Sequence, residues 1–190
     1  MTMQDAGVNA LAATLGQELM RRGWMMGAAE SCTGGLLAGA LTSVPGSSGW
    51  FDRGFVTYSN EAKVTELEVS RETLDLFGAV SEPVALEMAS GVLLAASDCH
   101  IAVSTTGIAG PDGGTPGKPV GLVCFGFAMR AGDGITTLAA THTFSGDRAE
   151  VRHAAVDFAL RGVLGMLGIQ TIVAGAGGAA EPYAEVSAPR

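Results

Sequence analysis

Several kinds of functional signature are missing from the 190-residue sequence. The three cysteines, Cys32, Cys99 and Cys124, form no CxxC pair, which predicts reduced thiols rather than a disulfide framework or a zinc site. The three histidines are scattered, without HxxxH spacing or a neighbouring carboxylate cluster, so we expect no metal. The motifs GxxxxGK(S/T), GxGxxG and GxSxG are absent as well. The sequence therefore gives no support for the usual nucleotide sites or for a hydrolase serine elbow.

The chain also lacks a surplus of basic residues. Its net charge of -8 argues against sequence-independent binding to nucleic acid, which needs a basic surface. No apolar run reaches the length of a membrane span without glycine or polar interruptions. The first residues, MTMQDAGVNA, have neither the basic nor the apolar region of a secretory signal. We therefore expect a soluble, cytoplasmic protein that binds neither nucleic acid nor membrane, and its composition permits a homo-oligomer.

The hydrophobic and turn patterns predict an α/β fold. A hydrophobic fraction of 47% is enough to fill the core of one domain, which we place at residues 1–168, followed by a Gly/Ala-rich tail at 169–190. Apolar spacing, capping residues and glycine stops predict helices at 5–22, 36–42, 61–67, 70–78, 81–95 and 146–167. Apolar and β-branched runs predict strands at 24–29, 54–58, 101–104, 120–129 and 135–144.

The stretch from Pro45 to Lys63 brings together the residue types of one kind of catalysis. Ser48 lies in a glycine-rich turn, Tyr58 ends a predicted strand, and Lys63 lies one turn into the next helix. A serine nucleophile with a lysine base needs such groups to converge. It also needs a neutral lysine, whose pKa must fall from about 10.4 through desolvation or a nearby positive charge. A surface hairpin with a solvated lysine is the alternative.

Two glycine-rich loops follow predicted strands. In the first, at residues 30–35, free N–H groups at a helix start would suit an anion or a developing oxyanion, and Ser31 and Thr33 are expected to cap the helix. The second, at residues 105–114, contains four glycines that allow its backbone to approach a ligand. A long surface loop is the alternative for the second.

Arg148 is a candidate for binding an anion. It lies in the first turn of the last predicted helix, where a cation opposes the helix dipole unless it faces a negative group. A contact with a phosphate or carboxylate would provide such a partner. A salt bridge to Asp147 or Glu150 would do so as well.

Five motifs occur in a specific order: AAESCTGG, PGSSGWFDRGFVTYSNEAK, GAVSE, TTGIAGPDGGTPGKPVGLV and FSGDRAEVR. Together they resemble the CinA C-terminal domain family over roughly Leu11 to Leu167. The chain is similar to the stand-alone form, without the additional N-terminal domain of longer relatives. The resemblance implies a three-layer α/β/α sandwich around a mixed sheet. It also implies hydrolysis of the carboxamide of nicotinamide mononucleotide to nicotinate mononucleotide and ammonia, with no cofactor.

Carried onto the matching positions, the resemblance implies that Ser48 is the nucleophile, Lys63 its base and Tyr58 a supporting hydroxyl. It also implies a set of substrate-binding residues, in which Arg148 holds the phosphate: Ser31, Thr33, Gly34, Thr106, Gly107 and Arg148. The roles of Ser31 and Ser48 are exchangeable at this stage, because Ser31 also precedes a helix.

The sequence leaves the place of Trp50 and the class of function open. Trp50, next to the serine pair, either packs in the core or stacks on the pyridine ring. The protein is either an amidohydrolase, for this nucleotide or for a different small amide, or a non-catalytic nucleotide-binding module of the same family.

Overall fold

A mixed β-sheet forms the middle layer of the protein, and the computed structural model describes residues 3–170 of the chain. The five strands found there are β1 (Met25–Glu30), β2 (Phe51–Val56), β3 (Cys99–Gly107), β4 (Leu122–Ala131) and β5 (Gly134–Thr143). Their order is β2-β1-β3-β4-β5. Strand β1 is parallel to β2 and β3, whereas β4 pairs antiparallel with both β3 and β5. The predicted mixed sheet is confirmed.

Helices cover both faces of the sheet, as a sandwich requires. They are α1 (Met3–Arg22), α2 (Leu36–Thr42), α3 (Asn60–Leu67), α4 (Arg71–Phe77), α5 (Glu82–Ala95) and α6 (Arg148–Met166). Helices α1, α2 and α6 share one hydrophobic cluster with the sheet, and α3, α4 and α5 share a second cluster. The α/β/α sandwich is therefore confirmed. The predicted tail falls outside the described residues from position 171 onward.

Trp50 belongs to the core. Its side chain is buried, and a Cβ atom added at Gly16 of α1 would lie 2.6 Å from its ring. The backbone amide of Met26 donates to the Trp50 carbonyl at 2.8 Å, which attaches the start of β2 to β1. Of the two alternatives for Trp50, the structure shows core packing.

The strand boundaries differ from the prediction, most of all in β2 and β3. Strand β2 begins at Phe51, three residues earlier than expected, and ends at Val56, before Tyr58. Strand β3 continues through Gly107, so the segment 105–107 is strand rather than loop. The central position of β3 explains its length, because those residues pair with β4 on one side and Thr105 also pairs with β1 on the other. Glycine and threonine were interpreted as loop residues, but pairing with neighbouring strands overrides this local preference.

The carboxyl ends of the three parallel strands lie level with one another. Glu30, the last residue of β1, pairs with Val56 of β2 and with Thr105 of β3. This edge is a topological switch point of the sheet, since β2 lies on one side of β1 and β3 on the other. Such crevices are where open α/β sheets bind ligands.

Candidate active site

A cavity of about 230 Å³ opens at this edge of the sheet. Its lining combines a lysine, an arginine and hydroxyl groups with small apolar side chains: Ser31, Cys32, Tyr58, Lys63, Ala79, Val80, Thr106, Gly107, Ala109 and Arg148. The cavity therefore brings together most of the candidate residues named from the sequence. Ser48, Thr33 and Gly34 are not among its lining residues.

Lys63 is buried and contacts Ser31. Its Nζ donates to the Thr57 carbonyl at 2.7 Å and to Ser31 Oγ at 3.0 Å, and only 1% of the residue is exposed. Burial lowers the pKa of Lys63 to about 8, against a small opposing effect of Cys32. Within residues 3–170, no carboxylate forms an ion pair with Lys63. Roughly a tenth of this amine is therefore uncharged at pH 7 and about half at pH 8.

The start of α3 explains where Lys63 lies. Ser59 is the N-cap, and its hydroxyl accepts a hydrogen bond from the Ala62 amide at 3.1 Å. Helix α3 begins at Asn60, so Lys63 is at the end of the first turn and its side chain turns back to the carbonyl of Thr57. The side chain of α3 that faces the sheet at this level is thus a lysine, with the strand ends as its neighbours.

Ser48 lies at the other end of β2. It is an exposed residue of the 3₁₀ turn Ser47–Gly49, which precedes β2, whereas Lys63 binds the carbonyl that follows the strand. A six-residue strand spans about 20 Å. The expected convergence of Ser48 with Lys63 therefore does not occur in the structure. The extended course of β2 separates the two residues, and the serine next to Lys63 is Ser31.

Glu30 caps α2 in place of the residues expected to do so. Its carboxylate is fully buried and accepts hydrogen bonds from the amides of Gly35 at 2.8 Å, Leu37 at 3.1 Å and Ala38 at 2.8 Å. The N-cap residue, Gly35, has a positive φ of 95°. The prediction that Ser31 and Thr33 cap this helix is wrong.

Thr33 instead helps to hold the loop. Its hydroxyl is buried and lies 2.7 Å from that of Thr105 on β3. Arg152 of α6 donates to the carbonyls of Cys32 and Thr33 at 3.1 and 2.7 Å. Arg152 Nη2 would also lie 3.2 Å from a Cβ atom added at Gly34, which has a φ of +57°. Thr33 and Gly34 therefore shape the loop rather than line the cavity.

Arg148 joins three segments around the cavity. One guanidinium nitrogen donates to the Tyr58 hydroxyl at 3.0 Å and the other to the Gly110 carbonyl at 2.8 Å. The alternative of a salt bridge is not realised within residues 3–170. Asp147 and Glu150 instead bond each other's backbone amides in a capping box at the start of α6. Arg148 therefore has no anionic partner in the described part of the chain.

Thr106 and Gly107 line the cavity, and Thr106 also supports its wall. The Thr106 hydroxyl donates to the Ala79 carbonyl at 2.7 Å. Next along the chain, Val80 contributes a second apolar side chain to the same wall. A Cβ atom at Gly107 would lie 2.6 Å from the Leu122 carbonyl, so close strand packing requires glycine there.

Cys32 lines the cavity beside Ser31, but its chemistry is suppressed. Burial, together with a smaller effect of the Glu30 charge, raises the pKa of the Cys32 thiol to about 12. A thiol is a good nucleophile only as the thiolate. Cys32 is therefore a packing residue of the site.

Sequence reasoning missed several contributors. Thr57 acts through its backbone carbonyl, which leaves no trace in the residue pattern. Arg152 follows Arg148 by four positions, the spacing of neighbours on one helix face, and this spacing was a usable signal. Ala79 and Val80 lie inside the GAVSE motif, so their presence in the cavity was also open to prediction.

No group of three or more metal-ligating side chains occurs within residues 3–170. None of the helices in the same part of the chain has the length and hydropathy needed to cross a membrane.

The fold and the cavity define a three-layer α/β protein in which a buried lysine is hydrogen-bonded to a serine at the carboxyl ends of the parallel strands. The chain belongs to the CinA C-terminal domain family, whose profile matches residues 8–167. It is 53% identical over 162 residues to a nicotinamide-nucleotide amidohydrolase PncC of Enterobacter agglomerans, covering 85% of this chain and 96% of that protein. A protein of the same name from Escherichia coli K12 is 53% identical over 159 residues, covering 84% and 94%.

Solved structures agree. A competence/damage inducible protein of Agrobacterium tumefaciens superposes with a TM-score of 0.79 at 43% identity, over 85% of this chain and 96% of that one. A CinA superfamily protein of Escherichia coli gives a TM-score of 0.79 at 36% identity, over 87% and 93%. The resemblance stated from the sequence is confirmed.

Proposed function

We propose that the protein is a nicotinamide-nucleotide amidohydrolase that converts nicotinamide mononucleotide and water to nicotinate mononucleotide and ammonia. The observation that carries this proposal is the buried contact of Lys63 with Ser31 inside a cavity that also contains Arg148. The names of the relatives at 53% identity support the same reaction.

In this proposal the nucleophile is Ser31, and the roles suggested for Ser31 and Ser48 are exchanged. Neutral Lys63 removes the proton from the Ser31 hydroxyl as Oγ attacks the carboxamide carbon. The protonated lysine then gives that proton to the departing nitrogen, which leaves as ammonia. Lys63 next activates a water molecule, which cleaves the acyl-serine ester and releases the carboxylate. The carbonyl of Thr57 holds Nζ in place through both steps.

Backbone amides that follow Ser31 are suited to the oxyanion. Within residues 3–170, the amides of Cys32, Thr33 and Gly34 donate to no backbone carbonyl, and Cys32 lines the cavity. Donors aimed at a developing oxyanion typically lower the barrier by about 3 kcal/mol each. The loop thus supplies a nucleophile and candidate donors from consecutive residues.

The far side of the cavity is suited to the nucleotide. Arg148 has no anionic partner among the described residues and offers a planar fork of donors to a phosphate. Tyr58 supports that fork through its hydroxyl. Ala79, Val80 and Ala109 supply apolar surface of the kind that packs on an aromatic ring.

The test is product formation by the purified protein. Nicotinamide mononucleotide is incubated with it, and ammonia and nicotinate mononucleotide are measured together. Both should appear in equal amounts. The phosphate-free nucleoside of nicotinamide should react far more slowly. Thermal stabilisation by the nucleotide without any product would instead show a non-catalytic binding module. Faster turnover of phosphate-free pyridine amides would point to an amidohydrolase for another substrate.

A further inference from the structure

Glu30 is a buried carboxylate next to the candidate nucleophile, Ser31. The proposed reaction does not use this carboxylate. It ends β1, and Ser31 follows it directly. Both of its oxygens are used, one by the amides of Gly35 and Leu37 and the other by the amide of Ala38. The carboxylate thus spans the loop of residues 31–34 and connects the strand that precedes it with the helix that follows it.

The loop is held at both ends and along its outer side. At its start, the Ser31 amide donates to the Thr105 carbonyl at 2.9 Å. At its end, Glu30 receives the Gly35 amide. Between them, Arg152 binds two loop carbonyls from α6. Glu30 links the loop to α2 through three amides, and the Leu36 amide adds one backbone bond to the Thr33 carbonyl at 3.2 Å.

Helix capping alone explains Glu30 poorly. A serine, threonine, aspartate or asparagine at the N-cap usually satisfies a helix start, and burying a charge is costly unless it is fully bonded. Elsewhere in this chain Ser59 and Ser70 cap α3 and α4 from the N-cap itself, without a buried charge. Glu30 reaches α2 from five residues upstream of Gly35, so its bonds restrict the loop between them as well as the helix.

We propose that Glu30 is a positioning residue, which holds Ser31 Oγ within reach of Lys63 by fastening the loop to the amides of α2. This inference rests on the proposed role of Ser31 as nucleophile. A carboxylate is needed because two equivalent oxygens serve three donors. An amide side chain offers one oxygen and turns a donor toward the N–H groups that the second oxygen had served. The charge of Glu30 faces these amides and forms no ion pair with Lys63 within residues 3–170.

The test uses Glu30→Gln, with Glu87→Gln as the matched control. Glu87 also accepts a backbone amide at a helix start, from Ser70 at 2.8 Å, but it does not line the cavity. Two rates are measured on folded protein: turnover of nicotinamide mononucleotide, and covalent labelling of Ser31 by phenylmethylsulfonyl fluoride, followed by intact mass. In the labelling step a bond forms between Oγ and sulfur, fluoride leaves, and Lys63 takes the proton.

For Glu30→Gln we expect kcat and the labelling rate to fall at least tenfold. KM should stay within about threefold, because Arg148 and the apolar wall are untouched. The pH midpoint of both rates should stay near that of the wild type, since the charge of Glu30 does not act on Lys63. Glu87→Gln should keep wild-type rates, because Glu87 holds a helix start that does not line the cavity.

Wild-type rates in folded Glu30→Gln would overturn the proposal, and so would a midpoint lowered by a full pH unit, which would mean a direct charge effect. If Glu30→Gln does not fold, Glu30→Asp replaces it, because aspartate keeps the charge but is too short to keep all three bonds. If neither variant folds, Glu30 is a residue of the fold alone and the proposal is wrong.

The same measurements separate this proposal from the proposed function. Wild-type protein that is labelled at Ser31 but does not turn over the nucleotide contradicts the substrate and leaves the positioning role intact. If the wild-type protein turns over the nucleotide but is not labelled, the kcat and KM of Glu30→Gln decide whether Glu30 positions Ser31. A wild type that does neither overturns both proposals.

Discussion

Ser31 and Lys63 are 32 positions apart in the chain, yet Lys63 Nζ lies 3.0 Å from Ser31 Oγ. The parallel pairing of β1 with β2 accounts for the contact, because the two strands end level and each residue follows one of those ends closely. Four testable consequences depend on this contact or on the cavity around it.

The first prediction distinguishes the two candidate serines. Ser31→Ala should lower kcat at least 1,000-fold, since it removes the attacking oxygen. Ser48→Ala is the matched control and should keep activity within twofold, because Ser48 is exposed at the other end of β2. Steady-state kinetics on both variants provide the check. A large loss in Ser48→Ala with a normal Ser31→Ala would make Ser48 the nucleophile.

The second prediction concerns the pH dependence of activity. A lysine base acts when neutral, and burial lowers the pKa of Lys63 to about 8. The value of kcat/KM should therefore rise about tenfold per pH unit below that value and level off above it. Tyr58→Phe should keep the same midpoint even if its rate is lower. A rate that is flat between pH 6 and pH 8 would count against Lys63 as the base.

The third prediction concerns the stability cost of burying Lys63. Because its pKa is lowered from 10.5 to about 8, the unfolded chain binds more protons between these two values. The cost is therefore complete below about pH 8 and shrinks as the pH rises toward 10.5. Relative to Lys63→Met, the wild type should gain up to about 3 kcal/mol of unfolding free energy across this window, at about 1.4 kcal/mol per pKa unit.

Urea unfolding of both proteins at several pH values measures this difference. Comparing the two proteins cancels the opposite contribution of Cys99 and Cys124, whose raised pKa values lower the stability of both proteins at high pH. A difference that does not change with pH would mean that Lys63 has an ordinary pKa in the folded protein.

The fourth prediction tests the proposed contact between Arg148 and the phosphate of the nucleotide. Arg148→Met should raise KM for nicotinamide mononucleotide at least 30-fold, because a charged bidentate contact is lost. Turnover of the phosphate-free nucleoside should change little. Arg21→Met is the control: Arg21 is an exposed residue of α1 that pairs with Glu18, and its loss should leave both rates unchanged. Equal losses on both substrates would assign Arg148 to the carboxamide end or to the fold.

The order of strands and helices was predictable because apolar period, caps and glycine stops agree along most of the chain. The start of β2 and the end of β3 were not, since strand pairing extends β2 back through the charged residues Asp52 and Arg53 and extends β3 into a segment of threonine and glycine. The expected contact between Ser48 and Lys63 was wrong as well. Ser48 precedes β2 and Lys63 follows it, so one extended strand lies between the two residues, and the sequence-based prediction did not take its length into account.

The loop after β1 shows a second limit of sequence reasoning. Ser31 and Thr33 have the right chemistry to cap a helix, and local propensity favours them. The structure uses Glu30 for this task, which leaves the Ser31 hydroxyl for Lys63. Nothing in the residue pattern distinguishes these two arrangements, because the choice depends on which side chain the folded strand turns inward.

The packing of Trp50 against Gly16 has a consequence for mutations remote from the cavity. The indole packs against α1 just before the start of β2. At the other end, directly after β2, the Thr57 carbonyl accepts a hydrogen bond from the Lys63 amine. A methyl group at residue 16 would lie only 2.6 Å from the indole, so the ring or α1 has to shift to make room for it. Gly16→Ala should therefore lower turnover if a shift of the indole moves β2 and the Thr57 carbonyl that follows it, and steady-state kinetics on this variant measure the effect.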